Sequence, residues 1–191
     1  TAPPAAVRTA VAMTCQSTAI GQSSTSGLSS GVTTLVPGSV TPGGAFAMKL
    51  TADPVVVPTT GGGYAISYLK SLTVKFAIPA GATFVSASQS GGSNLGNGAV
   101  TVTASGSIVT LSVPGNLAGG TTAILPEVTI NLQATGASGT ALNAQLFGSS
   151  YSSFSIGFTA RVTGIPLFGS TDAVTKCYAP VNPILGTTVI S

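Results

Sequence analysis

Across 191 residues, six Lys and Arg stand against three Asp and Glu, histidine is absent, and charged residues make up 5% of the chain, against roughly 25% in an ordinary soluble domain. That length suits one domain with a sizeable core, while the missing imidazole and scarce carboxylates remove the usual material for proton transfer and metal ligation. The sequence holds no run of about 18 apolar residues of the kind a spanning helix needs, although its mean hydropathy is +0.55.

The chain opens on "TAPPAAVRTAVA", a Pro/Ala arm like those that follow a removed export signal. Cys15 and Cys177, the only cysteines, stand near its two ends. In an exported chain this placement predicts a disulfide tying the first strand to the last, with two buried free thiols as the alternative. Closing a loop of that length contributes about 4 to 5 kcal/mol in the chain-entropy model.

Apolar residues are diluted by Gly and Pro and fall in short alternating runs rich in β-branched side chains, which favours strands over helices. Strands are predicted around 14–20, 45–51, 64–78, 83–88, 127–135, 141–147 and 172–178. "GQSSTSGLSSG" (21–31) and "SQSGGSNLGNG" (88–98) read as flexible polar loops. In "LTVKFAIPAGATFVSAS" (72–88), Leu72, Val74, Phe76 and Ile78 alternate with Thr73, Lys75 and Ala77, so one pleat face is apolar and the other mixed.

"AVTVTASGSIVTLSV" (99–113) reads as a hairpin about Ser105-Gly106, placing Val102 opposite Val109, Val100 opposite Leu111 and Thr101 opposite Thr110. "SFSIGFTARV" (153–162) alternates Phe154, Ile156, Phe158, Ala160 and Val162 with Ser, Gly, Thr and Arg. Runs end at "LVPG" (35–38), "VVVP" (55–58), "AIPAG" (77–81), "SVPG" (112–115) and "GIPLFG" (164–169), where proline fits strand ends and corners. Many short strands so spaced indicate an all-β, Greek-key β-sandwich.

"FAIPAGATFVSASQSGG" and "GSIVTLSVPGNLAGGTTAILPEVTINLQATGASGTALNAQL" resemble the conserved-repeat Ig-like domains of bacterial cell-surface proteins, over about residues 64–147. The matching stretches are Ile78 to Ser88, Asn116 to Gly120, Glu127 to Ala134 and Ser138 to Ala144. The resemblance implies an extracellular, noncatalytic Ig-like sandwich; the flanks 1–63 and 148–191 depart from the family's pattern.

Motifs with chemical associations lack their partners. "GLSSG" (27–31) fits the G-x-S-x-G elbow with Ser29 as nucleophile, but no imidazole exists to take its proton. "SYLK" spaces Ser67 and Lys70 as S-x-x-K, a spacing that needs a helix, and it lies in a predicted strand. Asp53, Glu127 and Asp172 are the whole carboxylate supply for glycoside hydrolysis or calcium. Two of them sit in turn settings; Glu127 would alternatively promote an intramolecular Lys-Asn amide. Tyr64, Tyr68, Tyr151 and Tyr178 offer either a sugar platform or core packing. The cations Arg8, Lys49, Lys70, Lys75, Arg161 and Lys176 are too scattered to track nucleic-acid phosphates.

The expected layout is an N-terminal arm (1–14), a sandwich domain (15–177) and a C-terminal arm (178–191). The latter, "YAPVNPILGTTVIS", carries no side-chain charge and offers Val181, Ile184, Leu185, Val189 and Ile190, an implausible composition for a free tail in water. Each arm either completes its own sandwich or adds a strand to a neighbour's open edge. With so weakly charged a surface, the functional expectation is a noncatalytic, secreted bacterial cell-surface protein, without cofactor or metal, that self-assembles as a homo-oligomer into a fibre, surface layer or coat. The alternatives are a lipid-facing or pore-forming envelope protein using a 151–168 hairpin, and an adhesin for carbohydrate or hydrophobic surfaces. Envelope lipid or polysaccharide is therefore a candidate partner.

Overall fold

The computed structural model describes residues 3–191 and is all-β. In chain order its longer strands begin with β1 (Val7–Ala19), β2 (Gln22–Leu35), β4 (Ala45–Ala52), β7 (Tyr64–Ala77) and β8 (Ala82–Ser90). They continue with β9 (Thr101–Ser105), β10 (Ile108–Val113), β13 (Glu127–Ala134), β14 (Ala141–Leu146), β15 (Ile156–Ile165), β16 (Gly169–Tyr178) and β17 (Gly186–Ile190). Short strands fill the gaps: β3 (Ser39–Val40), β5 (Val55–Val56), β6 (Thr60–Gly61), β11 (Leu117–Ala118) and β12 (Thr122–Ala123). All five proline corners named above fall at strand ends.

One sheet of 15 strands has the order β3-β17-β14-β7-β15-β16-β1-β2-β4-β13-β8, with β10, β11 and β6 also pairing with β7 and β9 pairing with β10. It does not close into a barrel. It folds over on itself, because alternation makes one face of each strand apolar and those faces leave water together. Met48 and Leu50 of β4 and Ile130 and Leu132 of β13 share a core with Leu72, Val74 and Phe76 of β7, Val109 and Leu111 of β10 and Leu142 and Leu146 of β14. These groups lie far apart along the strand order, so their common core defines two layers.

The Cys15–Cys177 disulfide is present. Its residues are register partners in β1 and β16, 4.1 Å apart at Cα, the close approach of a non-hydrogen-bonded antiparallel pair.

Two expectations are corrected. First, residues 22–31 are not a loop. They form most of β2, paired with β1 from Ala19↔Gln22 to Val7↔Thr34 across a two-residue turn in which Ile20 and Gly21 have φ of 50° and 70°, the signs of a type I′ hairpin. Both faces of residues 22–29 are solvent-exposed, so no apolar alternation marked them as strand. Second, the 99–113 hairpin turns at Gly106-Ser107, which sets Val102 opposite Leu111 and Val109 opposite Ala104. Moving a two-residue turn by one position shifts the cross-strand partner by two, so every side chain keeps its predicted face.

For the two ends the sequence left two placements open, and the structure has both segments in the chain's own sheet. Residues 7–14 are the first half of β1, with Val11 and Met13 in the core. At the other end β17 pairs with β14 (Ala141↔Val189) and, in parallel, with β3 (Val189↔Ser39). Of the five residues assigned to an assembly arm, Leu185 and Ile190 are buried in the chain's own core. Val181 is 84% exposed, and Ile184 and Val189 are also exposed.

Candidate functional site

Register places one constellation on the outer face of the β1/β16/β15/β7 region. Lys176 is opposite Gln16 on one side and Gly157 on the other, and Gly157 is opposite Thr73. Directly opposed residues share a face of the sheet. Lys75, two residues beyond Thr73, returns to that same face. Above the row lies the 147–155 segment, anchored by Lys75 N donating to Ser155 O (2.8 Å) and Phe147 N donating to Lys75 O (2.9 Å).

Gly157 is glycine for a steric reason. A Cβ there would lie 2.6 Å from Cε2 of Phe154, so only a bare backbone lets that ring rest on the sheet. Lys75 Nζ sits 3.6 Å from the centroid of the Phe154 ring and Lys176 Nζ 5.5 Å from it, both within cation–π range. The Lys75 ammonium is held below its usual pKa, first by desolvation and then by the nearby Lys176 charge.

Alongside, Tyr151 packs edge-on against Tyr178, with ring centroids 5.1 Å apart, and its hydroxyl shares a hydrogen bond of 3.0 Å with Thr14 Oγ1. The loop closes on itself through Ser149 N to Ser153 O (2.9 Å) and Ser153 N to Ser150 Oγ (3.0 Å). Between loop and sheet runs an open groove of about 660 Å³ lined by Gln16, Thr18, Ser150, Tyr151, Ser152, Val174 and Lys176.

The other sequence candidates are dispersed. Ser29 lies on exposed β2. Lys70 Nζ donates to Asp172 Oδ2 at 2.7 Å and Arg161 Nη1 to Asp172 Oδ1 at 3.0 Å. Those two hydrogen bonds, Lys70 first, hold the Asp172 carboxyl below its usual range. Asp53 accepts a two-pronged contact from Arg8, which raises the already high Arg8 pKa. Glu127 is 40% exposed and 3.7 Å from Lys49, a surface setting unlike the buried triad that a Lys-Asn amide demands. Among the described residues no three metal-ligating side chains gather. The four tyrosines form no single platform: Tyr151 and Tyr178 pair, while Tyr64 and Tyr68 lie on β7.

Two further features escaped the sequence reading. Among the described residues, the outer edge of β2 has no partner strand before Val32, where pairing with β4 begins. The β15/β16 turn carries Leu167 and Phe168, 102% and 60% exposed, beside the neighbouring β6/β7 turn with exposed Tyr64. No helix among the described residues is long and apolar enough to cross a membrane.

No family model matches the chain, and no curated protein matches its sequence. Among solved structures, it resembles the crystal structure of a "Putative membrane anchored protein" from Corynebacterium diphtheriae, with a TM-score of 0.63 at 16% identity. The likeness covers 97% of this chain and 38% of that one. What the two share is the fold: an all-β architecture found in a larger bacterial protein.

Proposed function

We propose that the protein is a noncatalytic structural module of a bacterial cell surface, exported and disulfide-locked, that self-associates by adding the open edge of β2 to the same edge of a second copy. The folded likeness to a bacterial protein described as membrane anchored and the Cys15–Cys177 bridge support the location. The β2 edge carries the proposal of assembly.

Gln22 closes the hairpin with Ala19, so the even-numbered residues of β2 turn their backbone groups toward β1 and the odd-numbered ones turn them outward. Gly31 O accepting from Asp53 N on the far side follows that parity. Ser23, Thr25, Gly27 and Ser29 therefore present an unpaired row of donors and acceptors. Natural edges are usually blunted by Lys, Pro or a bulge; residues 22–30 contain no charge and no proline, and their pairing with β1 is unbroken. Antiparallel addition of β2 to β2 of a second copy satisfies the row and closes a two-fold dimer. The ends lie in the chain's own sheet. Among the described residues β8 also stands last in the strand order, but a bulge interrupts its ladder, whereas the pairing that holds β2 flat is unbroken.

Thr25→Pro tests this, because it deletes an outward N–H while sparing every bond to β1. Sedimentation of the wild type at rising concentration is expected to show a dimer or larger species, and Thr25→Pro a monomer with unchanged far-ultraviolet dichroism. A wild type that stays monomeric throughout overturns the proposal.

A second reading is favoured by the Leu167-Phe168 turn: contact with an apolar surface. No charged residue occurs at 60–66 or 163–170, so insertion of this tip among lipid chains would bury no charge. Leu167→Asp with Phe168→Ser is expected to abolish flotation with zwitterionic vesicles without lowering the thermal midpoint; equal flotation of both proteins removes this reading.

A further inference from the structure

The chain's charges sort themselves unevenly. All three carboxylates are committed: Asp53 to Arg8, Glu127 to Lys49, and Asp172 to both Lys70 and Arg161. Four of the six cations are thereby paired. The other two, Lys75 and Lys176, have no carboxylate partner among the described residues, and they stand at one place, about the Phe154 ring. Two like charges held together repel, and an aromatic face offsets only part of that. Lys176 also lines the groove beside Tyr151.

We propose that this groove binds an acidic saccharide, its carboxylate or phosphate at Lys176 with Lys75 reinforcing the field from across Phe154. The remaining lining is mixed, with Val174 its one aliphatic side chain, and it carries the polar groups that a sugar ring needs. Gln16, Thr18, Ser150 and Ser152 offer an amide and hydroxyls for ring hydroxyls, and Tyr151 is an aromatic body fixed by Thr14 and Tyr178. The parts are held in place before binding: Phe154 rests on Gly157, and the serine loop is braced by its own hydrogen bonds. Little ordering is left to oppose association. An anion there offsets the charge of the lysine pair in a site that is partly desolvated, where the attraction exceeds that of an open surface.

The test is titration of the whole chain, followed by backbone NMR, with tetragalacturonate as the carboxylate probe, glucose 6-phosphate as the phosphate probe and maltotetraose as the neutral control. Shifts are expected at Gln16, Tyr151, Ser152 and Lys176 with at least one acidic probe, and binding at least about tenfold tighter than to maltotetraose, the scale of one charge-assisted hydrogen bond. Which acidic probe binds distinguishes a uronate from a phosphorylated sugar. Lys176→Gln is expected to weaken binding about tenfold or more and Lys75→Gln several-fold. Lys49→Gln, which removes the same charge elsewhere, should change it less than about twofold. Equal binding of neutral and acidic sugars, equal losses in all three variants, or binding to anionic vesicles but to none of the sugars would overturn the proposal. The wild-type shift map decides the site even if a variant folds poorly.

Discussion

Ile190→Ala is expected to destabilise the protein by about 2–5 kcal/mol and lower its thermal midpoint by roughly 5–15 °C. Ile190 is 0% exposed, and its strand is bound on both sides. Ile190 N donates to Thr140 O, Gly139 N donates to Ile190 O, and Ser191 N donates to Val40 O. Thr188 Oγ1 reaches Pro37 O at 2.7 Å. Truncating the side chain leaves a cavity between Gly136, whose Cβ position lies 3.2 Å from Ile190 Cδ1, and the β14 core. Val181→Ser is the matched control: the same C-terminal segment, but an exposed side chain, with an effect within about 0.5 kcal/mol. Calorimetry or denaturant melting of the two variants distinguishes a docked terminal strand from a loose arm. Equal, small effects would show that the terminal strand is not anchored in its own core.

The second large effect is expected at the disulfide. Cys15→Ala with Cys177→Ala should cost about 2–5 kcal/mol, since the bridge spans a sequence separation of 162 and restrains nearly the whole unfolded chain. Both residues are buried, so a reductant should act on the native protein only as fast as it opens. Urea melts of oxidised, reduced and doubly substituted protein measure the difference. Coincident midpoints would mean that the sheet alone supplies the stability.

Much of this fold was legible in the sequence because burial on one face leaves an alternating record. Phe46, Met48 and Leu50 of β4, or Val128, Ile130 and Leu132 of β13, could be read directly, and proline marked the corners. β2 left no such record. Its first eight residues touch solvent on both faces and owe their conformation to backbone pairing with β1, which composition does not encode. The ends were ambiguous for a related reason: apolar residues announce that a segment docks, but not against which chain.

The candidate site was legible only in fragments. Lys75, Lys176, Phe154 and Tyr151 lie on three separate stretches, and their convergence depends on the β15–β16 and β7–β15 registers and on the bulge between Gly157 and Thr159. The cations looked scattered because ion pairing, a tertiary property, decides which of them remain unpaired. Leu167 and Phe168 were read as part of a corner, and their exposure follows from the turn projecting beyond its sheet.

Hydrogen exchange of backbone amides over a concentration series tests most directly whether copies meet at β2 while the C-terminal strand serves its own chain. Protection at Ser23, Thr25, Gly27 and Ser29 should grow with concentration, and amides at 186–190 should already be protected in the most dilute sample. Exchange at 22–30 that ignores concentration, or protection at 186–190 that appears only on association, would contradict it.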